Sequence, residues 1–377
     1  MSKVNNVIIV GGGTSGWLSC AYFLIHKPNV NITIIESDDI PPIGVGEGSW
    51  PNISKILNPL NINYEDINFT KKSGINYVDW YSNQSSPYNN WYHPFLKKNA
   101  IHFEVGKLIP ILKNKCIEMG AIHIQDEVIK CNMFDNGFMK SVVLKNGEEQ
   151  YADLFIDCTG FNRKLISNIN PLYVDASNEI ICDSAITAHI KKQNKESDML
   201  WTKATALSSG WTWEIPLHDK TGVGYVYSSK FTTAKLAEKE FSEYLGYEDI
   251  EFKHINWNSG FLKTPYLNNC LAVGLSAGFL EPLEATSIGI TVKQLMWLNK
   301  YIYFPDKYNS KVEFLFKHYR DYILSHYLLN NRSDSEFWDY TKNLPISREL
   351  QILFNESHIY CAHSWKCMFD GMNYSNK

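Results

Sequence analysis

The sequence predicts an α/β fold: a Rossmann-like dinucleotide-binding domain interlocked with a β-sheet lobe and closed by a C-terminal helical cover. Three observations carry this. The chain opens with a branched apolar run, Val7-Ile8-Ile9-Val10, followed by Gly11, Gly13 and Gly16 in the spacing G-x-G-x-x-G. A second buried run, Leu154-Phe155-Ile156, ends in Asp157 and Gly160. Between Ile180 and Tyr227, short alternating segments follow one another, the pattern of a mostly antiparallel sheet.

At the N-terminus, Gly11 permits the tight turn, Gly13 lets a pyrophosphate approach the backbone, and Gly16 lets helix and strand pack closely. Trp17 to His26 reads as a helix packed against that strand, and its N-terminal N–H groups and dipole favour an anion. A second strand, Ile32 to Ile35, ends at Glu36, about twenty residues after Gly16, where an acid accepts hydrogen bonds from an adenosine ribose. Strand, glycines, helix, strand and acid stand in register, so a dinucleotide site outweighs a structural glycine turn.

The 377 residues, 44% of them hydrophobic, suffice for more than one core, and a net charge of −4 without charge runs points to a small partner, not a nucleic acid or a membrane. Eight scattered cysteines lack C-x-x-C spacing, so neither zinc nor a disulfide framework is expected. Met1 leads directly into the first strand and no long apolar span follows, which predicts a cytoplasmic protein.

Further along, the glycines of Ile43 to Pro51 suit close approach to a ligand, and Ile75 and Tyr77 alternate in a strand with Lys71 and Lys72 at its entrance. Tyr81 to Tyr92 reads as a loop over the surface or a pocket, and Glu104 to Met119 as a helix. Strands near 121–124, 128–134 and 140–144, with a turn at Asn146-Gly147, form an inserted meander. Leu271 to Gly274 is a strand and 278–285 a loop. A helix then runs to about Tyr301, and the tail from Val312 is helical and aromatic. The expected division is 1–165 for the dinucleotide domain, 166–260 for the β-sheet lobe, 261–300 for the return to the first domain, and 301–377 for the cover.

Only one dinucleotide fingerprint is visible, which implies a single FAD reduced elsewhere. The segment Gly210-Trp211-Thr212-Trp213-Glu214-Ile215-Pro216 places two indoles on one strand face, a rigid wall between flavin and substrate. With these two motifs, and with Gly44-Val45-Gly46-Glu47, Asp153 to Phe161, Gly224 to Ser228, Asn269 to Gly274 and Gly278 to Thr286, nearly the whole chain resembles the flavin-dependent tryptophan halogenase family. The resemblance implies the fold of the aromatic hydroxylase flavoproteins, with FAD as FADH2 from a separate flavin reductase and a halide co-substrate. It implies no metal. By this likeness Lys72, just before Ile75 to Trp80, delivers electrophilic halogen, and Glu284 is the catalytic carboxylate. Thr286 and Ser287 offer backbone N–H groups to the halide, and Gly11, Gly13, Thr14, Ser15, Gly16, Glu36, Val45, Glu47, Asp157, Gly160 and Gly274 hold the cofactor. His93 and Phe95, with Phe337 and Trp338, stack on the substrate, while Trp211 and Trp213 wall the channel.

Three features depart from the family pattern. Ala285 and Ser287 replace a serine and a glycine beside the halide site, leaving chloride, bromide and iodide open. Ser333 stands where an acid would hold an amino acid's polar end, and the chain stops at Lys377, short of the larger members. The expected substrate is therefore a small electron-rich aromatic of indole or phenol type, not necessarily free tryptophan, and a homo-oligomer is compatible with the sequence. An aromatic monooxygenase and a catalytically silent FAD-binding protein are the alternatives.

Overall fold

A computed structural model describes residues 3–39, 44, 47–81, 90–95, 100–192, 200–247, 249–355 and 363–372. Its first sheet has six strands in the order 266–267, 270–272, 154–157, 6–10, 31–36 and 122–125, all parallel except the first pair. Val7 to Val10 lie between two parallel partners, in register with Leu154 to Asp157 on one side and Ile32 to Ile35 on the other. Burial on both faces explains why this strand is uniformly apolar instead of alternating.

The first helix, Thr14–His26, packs back over the sheet because Gly16 lies against the turn: a Cβ there would stand 1.8 Å from the Gly11 carbonyl oxygen. Gly11 itself has φ +111°, a conformation that L side chains rarely adopt.

The strand at Ile122–Gln125 differs from expectation. It pairs parallel with Asn31–Glu36 at the sheet edge, and the meander proper is 128–133, 139–144 and 149–151. Alternation marks it as a strand but carries no information on which neighbour it takes.

The second sheet has seven strands in the order 253–256, 184–191, 220–227, 210–216, 201–207, 74–78 and 90–94. Trp201–Leu207 runs parallel to Gly74–Val78, the only parallel pair in this sheet among the described residues, so two strands from the first quarter of the chain complete a sheet built mainly from residues 184–256. Beside it, Ala100–Phe103 pairs with Glu47–Gly48 and with Thr70–Lys72.

The helix Thr286–Tyr301 packs on the first helix and on the cover helix, Pro305–Leu328. The cover helix begins earlier than Val312 because Pro305 occupies its first turn, where a missing N–H costs nothing. Short helices at Glu336–Thr341, Arg348–Asn355 and His363–Gly371 finish the cover. Among the described residues, no helix is long and apolar enough to cross a membrane.

Candidate active site

Two neighbourhoods carry the expected site residues. The first is the glycine turn. Gly13 is the N-cap of the first helix, no side chain caps that helix, and a Cβ on Gly13 would meet no atom within 4 Å among the described residues. The N–H groups of the first turn, at Thr14 and Ser15, lack intrahelical partners and stand at the positive end of the helix dipole. Gly160, with φ +67°, is equally open, and Gly274 lies against Ser15, where a Cβ would stand 2.6 Å from the serine Cβ. This backbone cradle fits a dinucleotide pyrophosphate.

Glu36 reaches the cradle, its carboxylate lying over Gly12. Its oxygens accept from Lys113 Nζ at 2.6 Å and Trp17 Nε1 at 3.2 Å, and His123 Nε2 lies 2.8 Å away without making a hydrogen bond. The sequence pattern marks 104–119 as a helix but gives no sign that Lys113 meets Glu36.

Asp157 has a different place from the one expected. It is fully buried, and its oxygens accept bonds from Thr159 N and Oγ1, Leu165 N, Ile166 N and Ser276 Oγ at 2.6–3.0 Å. It shapes the loop that carries Gly160, and its acceptor capacity is spent on the protein. Glu47 accepts from the N–H of Val105, the first residue of helix Val105–Glu118. Val45 lies outside the described residues.

The second neighbourhood surrounds Lys72 and Glu284. Pleating turns Lys71 outward and Lys72 inward, where Lys72 has no exposed surface. Its Nζ has no hydrogen-bond partner among the described residues, sits 5.2 Å from the centre of the Phe95 ring, and fits because Gly48 has no side chain: a Cβ there would stand 2.8 Å away. Burial lowers the ammonium from 10.5 to about 8, opposed only in part by the negative charge of Glu284.

Glu284 and Ala285 both adopt left-handed backbone, φ +66° and +51°, immediately before helix Thr286–Tyr301. Trp50 Nε1 donates to the Glu284 carbonyl at 2.9 Å and holds this turn. The carboxylate accepts from the Tyr77 hydroxyl, lies 3.0 Å through each oxygen from His93 Nδ1, and is 3.6 Å from His326 Nε2. Burial pushes its acidity toward the neutral form, but His93 and His326 outweigh this and hold it well below the usual carboxylate range. His93 is raised in turn, burial working downward and Glu284 more strongly upward, so both partners describe one buried ion pair. Thr286 and Ser287 form the first turn of the following helix, which has no side-chain cap.

Trp211 and Trp213 lie on one strand face with ring centres 6.1 Å apart. Trp213 covers Gly224 on the next strand. Trp211 Nε1 donates to Glu281 at 3.2 Å, and the Tyr327 hydroxyl reaches both oxygens of the same carboxyl at 2.9 and 3.0 Å. Burial raises Glu281 to about 8.

Between the two aromatic pairs expected to stack on a substrate, ring contacts run from His93 to Tyr322, His326, Trp80 and Trp338, at 6.2, 5.0, 5.9 and 5.5 Å. Phe337 and Trp338 are buried, and Trp338 Nε1 donates to the Leu207 carbonyl at 2.7 Å. Ser333 accepts from Lys342, while the Arg332 guanidinium lies 5.0 Å from the centre of the Trp338 ring.

Tyr77, Trp80, Glu281 and His326 are additions to the expected site. Tyr77 and Trp80 lie within the strand motif that located Lys72, and Glu281 within the loop motif that located Glu284. His326 sits on a helix face read only as aromatic core.

Residues 6–101 and 96–376 match the family described as tryptophan halogenase. The chain belongs to that family. It is 27% identical over 432 residues to tryptophan 6-halogenase ThaL of Streptomyces albogriseolus, spanning 93% of this chain and 81% of the relative. It is 28% identical over 430 residues, with the same coverage, to tryptophan 7-halogenase RebH of Lentzea aerocolonigenes. The solved structure of BrvH, a flavin-dependent halogenase from Brevundimonas sp. BAL3, superposes with a TM-score of 0.90 at 25% identity, over 98% of this chain and 90% of that one. Membership places the chain among the FADH2-dependent halogenases, which are oxidoreductases with an FAD-binding Rossmann-type fold.

Proposed function

We propose that this halogenase passes electrophilic halogen through Lys72 to an electron-rich aromatic ring, with Glu284 as the base that takes the ring proton. The supporting observation is the buried, unbonded Lys72 amine beside an ionised carboxylate. An ammonium lowered to about 8 is partly neutral near pH 7 and has a lone pair free to take up halogen. FAD in the cradle, delivered as FADH2 by a separate reductase, supplies with oxygen the oxidising power that turns halide into hypohalous acid. Backbone N–H groups at Thr286 and Ser287 favour the halide, and the Trp211–Trp213 wall keeps the organic substrate from the flavin.

The substrate class follows from the far end. Where the family likeness places an acid, the chain has neutral Ser333, and the neighbouring carboxylate, Asp334, is already paired through both oxygens with Arg332 over Trp338. A substrate ammonium would have to compete with that guanidinium for its acid, so the reading is an indole or phenol without an ammonium group.

The test combines protein, FAD, a flavin reductase, NADH, oxygen and a panel of indoles and phenols in separate chloride, bromide and iodide buffers, with products read by mass. Halogen mass shifts that vanish in Lys72→Ala, with FAD binding retained, are the expected result. Hydroxylated products that survive in Lys72→Ala overturn the reading in favour of a monooxygenase.

A further inference from the structure

Glu284 can act as a base only while it is ionised, yet it is 4% exposed, and burial alone favours the neutral acid. Something on the protein must pay that difference. The charged and titratable groups facing it come from several elements: Lys72 from strand 70–72, Tyr77 from strand 74–78, and His93 from strand 90–94. The cover helix brings Tyr319, Tyr322 and His326, and the terminal helix brings Cys367. The tyrosines and the thiol are all raised, so they are neutral at ordinary pH and supply no positive charge. Lys72 makes no hydrogen bond to the carboxylate.

The two histidines are not equivalent. His326 is fully buried, its Nδ1 donates to the Tyr322 carbonyl one turn back in its own helix, and its Nε2 stands 3.6 Å from Glu284, beyond a good hydrogen bond. His93 has both ring nitrogens engaged: Nδ1 lies 3.0 Å from each oxygen of Glu284, and Nε2 lies 2.9 Å from Ser364 Oγ on the terminal helix His363–Gly371. The terminal helix is fixed over this strand, because Gly371 lies against Trp91 and Tyr322 donates to the Ser364 carbonyl at 3.2 Å.

We infer that His93 is the positioning residue of Glu284, held by Ser364, and that its imidazole serves the base and not the face of the substrate ring. The inference rests on the proposed role of Glu284. It departs from the stacking role that family likeness assigns to this position, because an imidazole committed at both nitrogens cannot turn to follow a substrate.

Two variants separate the roles. His93→Phe keeps an aromatic plate and removes both nitrogens, whereas His93→Gln removes the plate and keeps a donor. The positioning role predicts that His93→Phe lowers kcat about a hundredfold with KM nearly unchanged, and that His93→Gln retains more activity than His93→Phe. It also predicts that the Glu284 carboxyl, followed by carbon NMR, titrates about one unit or more higher in His93→Phe, because Glu284 loses its cationic partner. Ser364→Ala shifts that titration in the same direction by less. Wild-type kcat and an unmoved Glu284 titration in His93→Phe overturn the inference, as does a His93→Gln variant more impaired than His93→Phe. FAD fluorescence and thermal melting report whether each variant folds. Titration of the Glu284 carboxyl by carbon NMR needs no turnover. It moves up in His93→Phe even if the wild type halogenates nothing, so failure of the halogenase reading and failure of this inference are distinguishable.

Discussion

The cradle and the Lys72–Glu284 centre solve opposite problems. The cradle is made mainly of backbone, with a Cβ at Gly13 or Gly160 meeting nothing within 4 Å among the described residues and the Glu36 carboxylate lying over Gly12. The centre is closed and made of side chains, with Lys72, His93 and Glu284 all buried and Trp80 and His326 packed between the aromatic pairs. The base of the cradle is one strand, one turn and one helix that are consecutive in the chain, joined by Glu36, Gly160 and Gly274. The centre draws on strands near 72, 77 and 93, the turn at 284, the cover helix and the terminal helix. On the proposed reading, cofactor binding rests on backbone and the reaction end on side chains kept in costly states. Mutations should separate the two.

The largest separation is expected from Lys72→Met. Halogenation should fall by about a thousandfold, since the amine proposed to carry the halogen is gone, while FAD affinity stays at wild type. Stability should move the other way. The folded lysine titrates near 8 against 10.5 in the unfolded chain, so between those values the unfolded state binds more protons and wild-type stability rises with pH. Below about 8 the buried ammonium costs the fold about 3 kcal/mol, which methionine does not. Melting of the cofactor-free proteins should show Lys72→Met ahead at pH 7 and the gap narrowing by pH 10. A variant less stable at both values would mean that Lys72 is a structural residue.

A paired substitution tests the cradle. Gly11→Val forces a side chain onto φ +111° with its Cβ 2.3 Å from the Cys158 carbonyl oxygen, and should destabilise the fold by about 3 kcal/mol. At Gly13 a Cβ would meet nothing within 4 Å among the described residues, and the backbone, φ −75° and ψ −174°, suits the branched side chain of Gly13→Val. Its melting temperature should match the wild type, while FAD affinity, read by flavin fluorescence, drops at least about tenfold because the side chain fills the pyrophosphate's place. Unchanged affinity in Gly13→Val would remove the cradle from cofactor binding.

The same contrast governs what the sequence discloses. The first sheet was legible because its apolar runs, glycine spacing and terminal acid are local signals, and Gly11, Gly13, Gly16 and Glu36 fall where the spacing puts them. Lys72 and Glu284 were legible by family likeness, and no local pattern distinguishes Lys72 from Lys71 beyond the alternation of one short strand. Partners that arrive from afar were not legible: Lys113 on Glu36, His326 beside Glu284, and Trp80 between the aromatic pairs. Each depends on which helix or strand packs where, and periodicity says which face of an element is buried without saying against what. Asp157 shows the converse. A conspicuous acid at a strand end accepts from five protein donors, and only their geometry reveals that its carboxylate is taken up by the protein.

Trp50→Phe is the smallest and most discriminating change. It keeps a ring against Tyr319, whose centre lies 4.8 Å away, and deletes the N–H that reaches the Glu284 carbonyl. That single hydrogen bond is worth about 1 kcal/mol, and it steadies two successive left-handed residues, Glu284 and Ala285, together with the Ala285 N–H bond to the Pro282 carbonyl and the side-chain contacts of Glu284. The expected outcome is a melting temperature lowered by a few degrees, a kcat lowered about fivefold through misplacement of the carboxylate, and unchanged FAD affinity. The helix starting at Thr286 also packs against the first helix of the cradle, so this turn is where the two regions touch. A matching loss of FAD affinity would show that the Glu284 turn and the cradle move as one, and that the closed centre depends on the open one for its geometry.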